Sequence, residues 1–342
     1  MIPHHNVTGQ LSEQTPDWQT ELSNAVTDMT ELAGLLNISP NSLSSGAEAQ
    51  GQFPLRVPRP FIARMNKSDP NDPLLLQVLP NDRELIPTPG YSSDPLEEAD
   101  ANPVPGLIHK YKGRVLLVVS PACAIHCRYC FRRHFPYDDN TPGRERWSEA
   151  LDYIAADASI REVIYSGGDP LAANDQMLLW LTRQIAAIPH IKRLRVHTRL
   201  PVVIPSRISS ACLHWLTATR LQAVLVLHIN HAQEIDTPLA EAISAIRQCD
   251  IPVFNQSVLL RNINDSPDTL HALNERLFEI GVIPYYLHCL DKVAGAADFD
   301  LNDTDIHRIY QQLLSLDSGY LTPRLVIEIP GQAAKQPFQQ PA

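Results

Sequence analysis

The chain has 342 residues, with 28 basic and 38 acidic side chains for a formal net charge of −10, a length at which one compact core stops growing and further layers or a second domain appear. No stretch gathers Lys and Arg into a stripe that tracks phosphates, which excludes nucleic acid as a partner class. The longest purely apolar runs, residues 115–119 and 223–227, fall far short of the roughly 20 residues of a membrane helix, so the expectation is a soluble protein without a membrane partner.

Met1-Ile2-Pro3-His4-His5 has neither the cationic start nor the apolar stretch of a secretory signal, and the six cysteines, three of them within eight residues, do not read as a disulfide framework. Both features point to the cytoplasm, and the crowding points to a metal site. Proline, 29 residues in all, gathers near the chain ends and at strand boundaries as punctuation. From Trp18, the apolar Leu22, Val26, Met29, Ala33 and Leu36 recur at helical spacing with Asp17 placed as a cap, which predicts one amphipathic helix. Residues 38–105 mix Pro, Asp, Gly and Ser with short apolar pieces such as Leu74-Leu75-Leu76, and read as an ordered wrapping extension.

Beyond residue 110, short β-branched runs occur at 114–120, 161–166, 193–198, 221–229, 252–259 and 282–290, each followed by a helical pattern. After the first interval the period is about 30 residues, the length of a βα unit in a parallel sheet. Six units fit before residue 318 where a full barrel has eight, so the predicted fold class is α/β, a partial (β/α)6 TIM-like barrel with a largely helical N-terminal extension. A doubly wound open sheet is the second reading, but no G-x-G-x-x-G follows the first strand, which leaves a dinucleotide site unsupported. Residues 325–329 form a seventh extended piece able to close the opening. The expected organisation is an extension over 1–105, a barrel core over 106–320, and a C-terminal strand with a lysine-bearing segment over 321–342.

Directly after the first barrel strand comes Cys123-Ala-Ile-His-Cys127-Arg-Tyr-Cys130, a C-x3-C-x2-C loop at the catalytic face of a parallel barrel. Three thiolates hold three corners of a [4Fe–4S] cluster and leave the fourth iron to a non-protein ligand. Zinc is the alternative, with His126 or His134 completing four ligands. Ser166-Gly167-Gly168-Asp169 ends the second strand. Its glycines let backbone approach a ligand, and Asp169 either faces a cation or caps an ordinary turn.

The cysteine loop resembles the signature of the radical S-adenosylmethionine superfamily, whose fold the partial barrel matches and whose motif for the methionine amino group Gly167, Gly168 and Asp169 resemble. From about Asp72 to Lys335 the chain resembles the lysine 2,3-aminomutase family, on Pro103-Val-Pro-Gly-Leu-Ile-His109, Phe131-Arg132-Arg133, Asn255-Gln256-Ser257-Val258-Leu259-Leu260 and Tyr285-Tyr286-Leu287. That resemblance implies a [4Fe–4S] cluster on Cys123, Cys127 and Cys130, S-adenosyl-L-methionine as radical source with His228 and Gln256 as further contacts, and pyridoxal 5′-phosphate on a lysine. Arg199, at a strand end, is a candidate for the methionine carboxylate.

Of the six lysines, Lys67 lies in the extension, and Lys110, Lys112 and Lys192 precede strands and are expected at the wrong end of the barrel. This leaves Lys292 and Lys335. The resemblance selects Lys335, after Ile329-Pro330-Gly331, although the family has more glycine before its lysine. It also implies that Arg132 binds the substrate carboxylate and that Asp291 and Glu328 bind a side-chain ammonium, Glu328 standing where the family has Asp. An acidic pair favours lysine over glutamate as substrate. Cys212, Cys249 and Cys289 carry no expected role.

Catabolic members of the family continue past the cofactor lysine into a cysteine-bearing segment that this chain lacks. Short chains of this pattern resemble the branch that makes (R)-β-lysine from (S)-α-lysine for a lysyl-tRNA-synthetase-like ligase to attach to elongation factor P. The implied partners are L-lysine, elongation factor P with its ligase, an electron donor such as flavodoxin or ferredoxin, and a homo-oligomer. The rivals are an aminomutase for another amino acid and a zinc-stabilised binding module without catalysis.

Overall fold

Strands of a parallel sheet are apolar on both faces and need a helix-length crossover between them, and this alternation organises the chain. In a computed structural model that describes residues 17–39, 46–140 and 147–339, β2 (Arg114–Ser120), β3 (Glu162–Gly167), β4 (Arg193–Thr198), β5 (Gln222–His228), β6 (Val253–Val258), β7 (Ile283–His288) and β8 (Arg324–Ile327) pair in sequential parallel order. The helices Trp147–Ala156, Asp175–Ala187, Ser210–Thr217, Thr237–Arg247, Pro267–Glu279 and Asp303–Leu316 fill the crossovers. Asn174, Ser209, Asp236, Ser266 and Asn302 each accept a backbone N–H three residues on and so start five of these helices. The architecture is the partial α/β barrel expected, with β8 as a seventh parallel strand.

Two antiparallel strands were not foreseen. β1 (Leu107–Tyr111) pairs with β2 across a Lys112-Gly113 turn in which Gly113 has φ +81°, and β9 (Gln336–Pro337) pairs with β8. They form the two edges of the sheet, so the barrel stays open.

The predicted N-terminal helix is two helices, Trp18–Ser23 and Met29–Leu36. Asp17 caps the first as expected. The chain breaks because Val26 forms an antiparallel bridge with Val57, with N–O distances of 2.8 and 2.9 Å, and because Asp28 starts a new helix by accepting from Glu31 N at 2.8 Å. Val26, Leu32, Leu36, Phe61, Leu74 and Leu75 join the core shared with the barrel. No helix among the described residues is long and apolar enough to cross a membrane. The reading of Met1 to His5 and of the final Ala342 concerns positions outside the described residues.

One ion cluster ties the extension to the cysteine loop. Glu84, in a 3₁₀ turn at Asp82–Leu85, accepts from Arg128 Nε and Nη2 at 2.8 and 2.6 Å and from Arg133 Nη2 at 2.8 Å, while both guanidinium carbons lie 4.8 Å from the Phe53 ring centre. All three charged side chains are at most 4% exposed. Glu84→Ala leaves two buried cations without their anion, which costs about 3–5 kcal/mol. The expected outcome is a lowered urea midpoint with an unchanged m-value; an unchanged midpoint contradicts the anchoring role.

Candidate active site

A brace of backbone contacts sets the cysteine loop. Gly168 N donates to Ser120 O and Asp169 N to Ala122 O, both at 2.8 Å, so the end of β3 lies directly against the start of the loop. A Cβ on Gly168 would sit 2.6 Å from Pro121 O, and one on Gly167, at φ +123°, 2.5 Å from Ser120 O. The close approach that these glycines permit is therefore to the loop backbone. Asp169 corrects the expectation that its carboxylate faces a ligand cation. Its oxygens accept from Thr198 Oγ1 at 2.7 Å and from the backbone N–H of Arg199, Leu200 and Leu171 at 2.7, 2.9 and 3.0 Å. The side chain is a buried cap that joins the ends of β3 and β4.

Cys123, Cys127 and Cys130 act on one another electrostatically. Burial first, and then its thiol neighbours, push Cys123 well above the ordinary thiol range, and burial beside Cys127 pushes Cys130 up to about 11. Such thiols ionise when a bound cation supplies the missing countercharge. Among the described residues no three His, Cys, Asp or Glu donors converge on one single-ion position; in a cluster each thiolate serves a different iron and no convergence is required. The zinc alternatives turn elsewhere, His126 Nδ1 to Pro54 O at 2.8 Å and His134 Nε2 to Ala294 O at 3.1 Å. The donor set fits a cluster.

Behind the loop, Arg199 Nη1 lies 2.7 Å from Cys127 Sγ and 2.6 Å from Tyr129 Oη, and its Nη2 donates to Gln77 Oε1 at 2.6 Å and Glu234 Oε2 at 2.9 Å. Burial opposes its charge, but the thiol, the phenol and Glu234 together raise its pKa well above normal. The guanidinium expected to meet a methionine carboxylate thus faces a cysteine of the loop. His228 Nε2 is 3.0 Å from Tyr129 Oη and, being buried, stays neutral.

On the other side of the barrel, charges alternate. Glu98 holds Arg132 through two bonds, Nε–Oε2 at 2.7 Å and Nη2–Oε1 at 2.8 Å, leaving the Nη1–Nη2 edge of the guanidinium toward Ser166, whose Oγ is 3.0 Å from Nη1. Lys110 Nζ is 3.5 Å from Glu98 Oε1 and 2.9 Å from Glu328 Oε1, and Lys335 pairs with Glu328 Oε2. Lys335 and Glu328 flank the turn between β8 and β9, next to the Ile327–Gln336 pair. Although burial works against its charge, Lys335 and Lys110 hold Glu328 down at about 2, whereas burial pushes Asp291, after β7, up to about 7.

The residues assigned to the site from the sequence line one cavity of about 1020 Å³, Cys123, Cys127, Cys130, Arg132, Gly167, Gly168, Asp169, His228, Gln256, Asp291, Glu328 and Lys335, whereas the alternatives Lys292 and His134 do not. Lys110 lines it as well: its backbone stands beside the start of β2, as expected, but its side chain reaches Glu328, which follows β8. The elimination took it as a residue preceding β2; it belongs to β1, and its long side chain reaches into the cavity. Sequence reasoning also missed Glu98 and the thiol contact of Arg199, for which neither spacing nor motif supplies a signal. His197 Nε2 and Arg195 Nε are buried without a partner.

The model of the Radical SAM superfamily matches residues 117–210. A protein of Escherichia coli (strain K12) named L-lysine 2,3-aminomutase is 52% identical over 323 residues, 94% of each chain. One of the same name from Haemophilus influenzae is 49% identical, over 93% of this chain and 94% of that one. That of Clostridium subterminale is 32% identical, over 94% of this chain and 77% of its own length.

Changing Cys123, Cys127 or Cys130 to Ala is expected to abolish the visible absorption of an iron–sulfur centre or leave it unstable, and Cys212, Cys249 and Cys289 to tolerate Ser with iron content intact. Iron and sulfide analysis after anaerobic purification checks this, and loss of the centre in any of the latter three contradicts the ligand set.

Proposed function

The chain belongs to the L-lysine 2,3-aminomutase family of radical S-adenosylmethionine enzymes, and from that membership we propose the role of each residue in its cavity and the fate of its product. As a member it is an isomerase with a [4Fe–4S] cluster and S-adenosylmethionine. In our reading Cys123, Cys127 and Cys130 hold the cluster, the backbone at Gly167 and Gly168 with His228 and Gln256 contacts S-adenosylmethionine, and Asp169 keeps that backbone in place. When bound, the cluster supplies the electron that cleaves S-adenosylmethionine.

Lys335 is the proposed carrier of pyridoxal 5′-phosphate, a reading supported by its position in the cavity and by the partnerless Nε2 of His197 and Nε of Arg195, which await a polar ligand. When bound, that cofactor supplies a π system next to the substrate's amino nitrogen.

The observation that carries the substrate reading is the placement of Arg132, Glu328 and Asp291 on one cavity. Lysine is charged at both ends. Arg132 presents its guanidinium to the α-carboxylate, which takes over Nη1 from Ser166 Oγ and Gly167 O at 3.0 and 3.4 Å, and Glu98, which raises the pKa of Arg132 despite burial, keeps the group oriented. Glu328 and Asp291 receive the side-chain ammonium. Glu328 is ionised from the start, while Asp291 is divided between its two forms near neutral pH, and an entering cation draws it to the carboxylate. We assign the product to the elongation factor P branch, as (R)-β-lysine from (S)-α-lysine, on the resemblance in the sequence, with a flavodoxin or ferredoxin as donor.

The test is anaerobic incubation of the reconstituted enzyme with S-adenosylmethionine, pyridoxal phosphate, dithionite and lysine, followed by chiral separation, beside arginine, glutamate and alanine. β-Lysine in the lysine arm alone is expected; turnover of another amino acid in preference overturns the substrate reading. Borohydride reduction is expected to fix pyridoxal on the peptide holding Lys335, and a label on Lys292 contradicts the assignment.

Asp291 also predicts a pH profile. Its raised pKa means the charged form needed for the ammonium grows as pH rises, so kcat/KM for lysine increases through about pH 7. Asp291→Asn removes that limb and lowers lysine turnover by roughly ten- to a hundredfold, the loss of one charge-assisted hydrogen bond. For folding the sign is opposite: neutral Asp291 is the favoured buried form, so its contribution is present at low pH and lost as pH rises through about 7.

A further inference from the structure

Lys110 stands in the middle of the alternating charges and has no part in the chemistry assigned so far. Its Nζ lies between two carboxylates, 2.9 Å from Glu328 and 3.5 Å from Glu98, on a side chain only 17% exposed. Each carboxylate has a second duty: Glu98 grips Arg132 through both oxygens, and Glu328 pairs with Lys335 through the oxygen that Lys110 leaves free. One ammonium therefore links the group read as the carboxylate end of the substrate pocket to the group read as its ammonium end. We propose that Lys110 is a positioning residue that fixes the separation between Arg132 and the Glu328–Asp291 pair, and so sets which length of diamino acid the cavity accepts. The inference rests on the substrate reading above and deepens it.

Two physical arguments support it. Of the two cations on Glu328, Lys335 is the one that the proposed pyridoxal cofactor consumes. Lys110 then remains to hold Oε1, and Oε2 becomes the oxygen open to an incoming ammonium. Without Lys110, Glu98 and Glu328 would face each other across a buried space with no cation between them, and repulsion would drive them apart or protonate one of them. The backbone that carries Lys110 is also anchored on both sides, because β1 pairs with β2 at Ile108–Leu116 and Tyr111–Arg114, and the register shift between those pairs is the kind of bulge that re-aims a side chain.

The experiment compares wild type, Lys110→Met and Lys110→Arg with lysine and with ornithine, one methylene shorter, alongside iron content and borohydride-fixed pyridoxal. In Lys110→Met we expect KM for lysine to rise about tenfold with kcat within about threefold, and the lysine-to-ornithine ratio of kcat/KM to fall about tenfold. Lys110→Arg should recover most of both, with iron and pyridoxal content unchanged in each variant. If Lys110→Met does not fold, Lys110→Gln carries the same comparison. An unchanged KM and ratio overturns the proposal, as does an equal loss in Lys110→Arg accompanied by loss of iron or pyridoxal, which marks a merely structural role. If the wild type converts lysine but the ratio is insensitive to Lys110, this proposal alone fails. If the wild type does not convert lysine, the substrate reading fails and takes this one with it.

Discussion

A barrel whose interior is left open has to neutralise the charges that face it, because they reach neither bulk water nor a hydrocarbon core. Closed barrels fill their centre with layers of branched side chains. Here a cavity of about 1020 Å³ takes that space, and the ionic groups on its wall are arranged in alternation, Arg132, Glu98, Lys110, Glu328 and Lys335. The same solution recurs around the cysteine loop with Glu84 between Arg128 and Arg133, and behind it with Glu234 against Arg199. Buried pairs of this kind contribute little net stability compared with apolar packing, but removing one partner is costly. The cavity wall is thereby held to one arrangement.

That alternation also explains why neighbouring carboxylates differ. Glu328 touches two ammonium groups and stays ionised. Asp291 is equally enclosed but meets no cation at hydrogen-bond distance, so the cost of burial dominates. Their chemistry diverges because, among the described residues, Glu328 has two ammonium contacts and Asp291 has none, although in the sequence both are simply acids at strand ends.

The alternation of β-branched runs and helical patterns made the barrel readable, since a parallel sheet buried on both faces forces that period on the chain; β4 coincides with the reading over 193–198, and β6 falls inside 252–259. The cysteine spacing was equally legible, being a property of one short loop. What escaped depends on partners distant in the chain. Val26 leaves its helical pattern only because Val57 is there to pair with it. β1 carries His109 and Lys110 among its apolar residues, and its signal, the Lys112-Gly113 turn, is weak by itself. The rule about residues that precede barrel strands places the Lys110 backbone beside the start of β2, where it is, but does not cover a side chain that reaches Glu328 through an open cavity. The local turn chemistry of Asp169 indicated a cap, and the hydrogen bonds bear out that reading.

The order of strands across the sheet separates two sets of residues. The cysteine loop, Gly167, Gly168, Arg199, His228 and Gln256 belong to β2 through β6 and the segments that follow them, whereas Asp291, Glu328, Lys335 and Lys110 belong to β7, β8, β9 and the opposite edge β1. Because the sheet is open, the second group comes from its two free margins, which meet across the gap. Exchanging these margins for those of a relative would graft a new pocket while the central strands kept their braces. Arg132 and Glu98 would have to travel with the graft, since they are the hinge at which the two halves are joined.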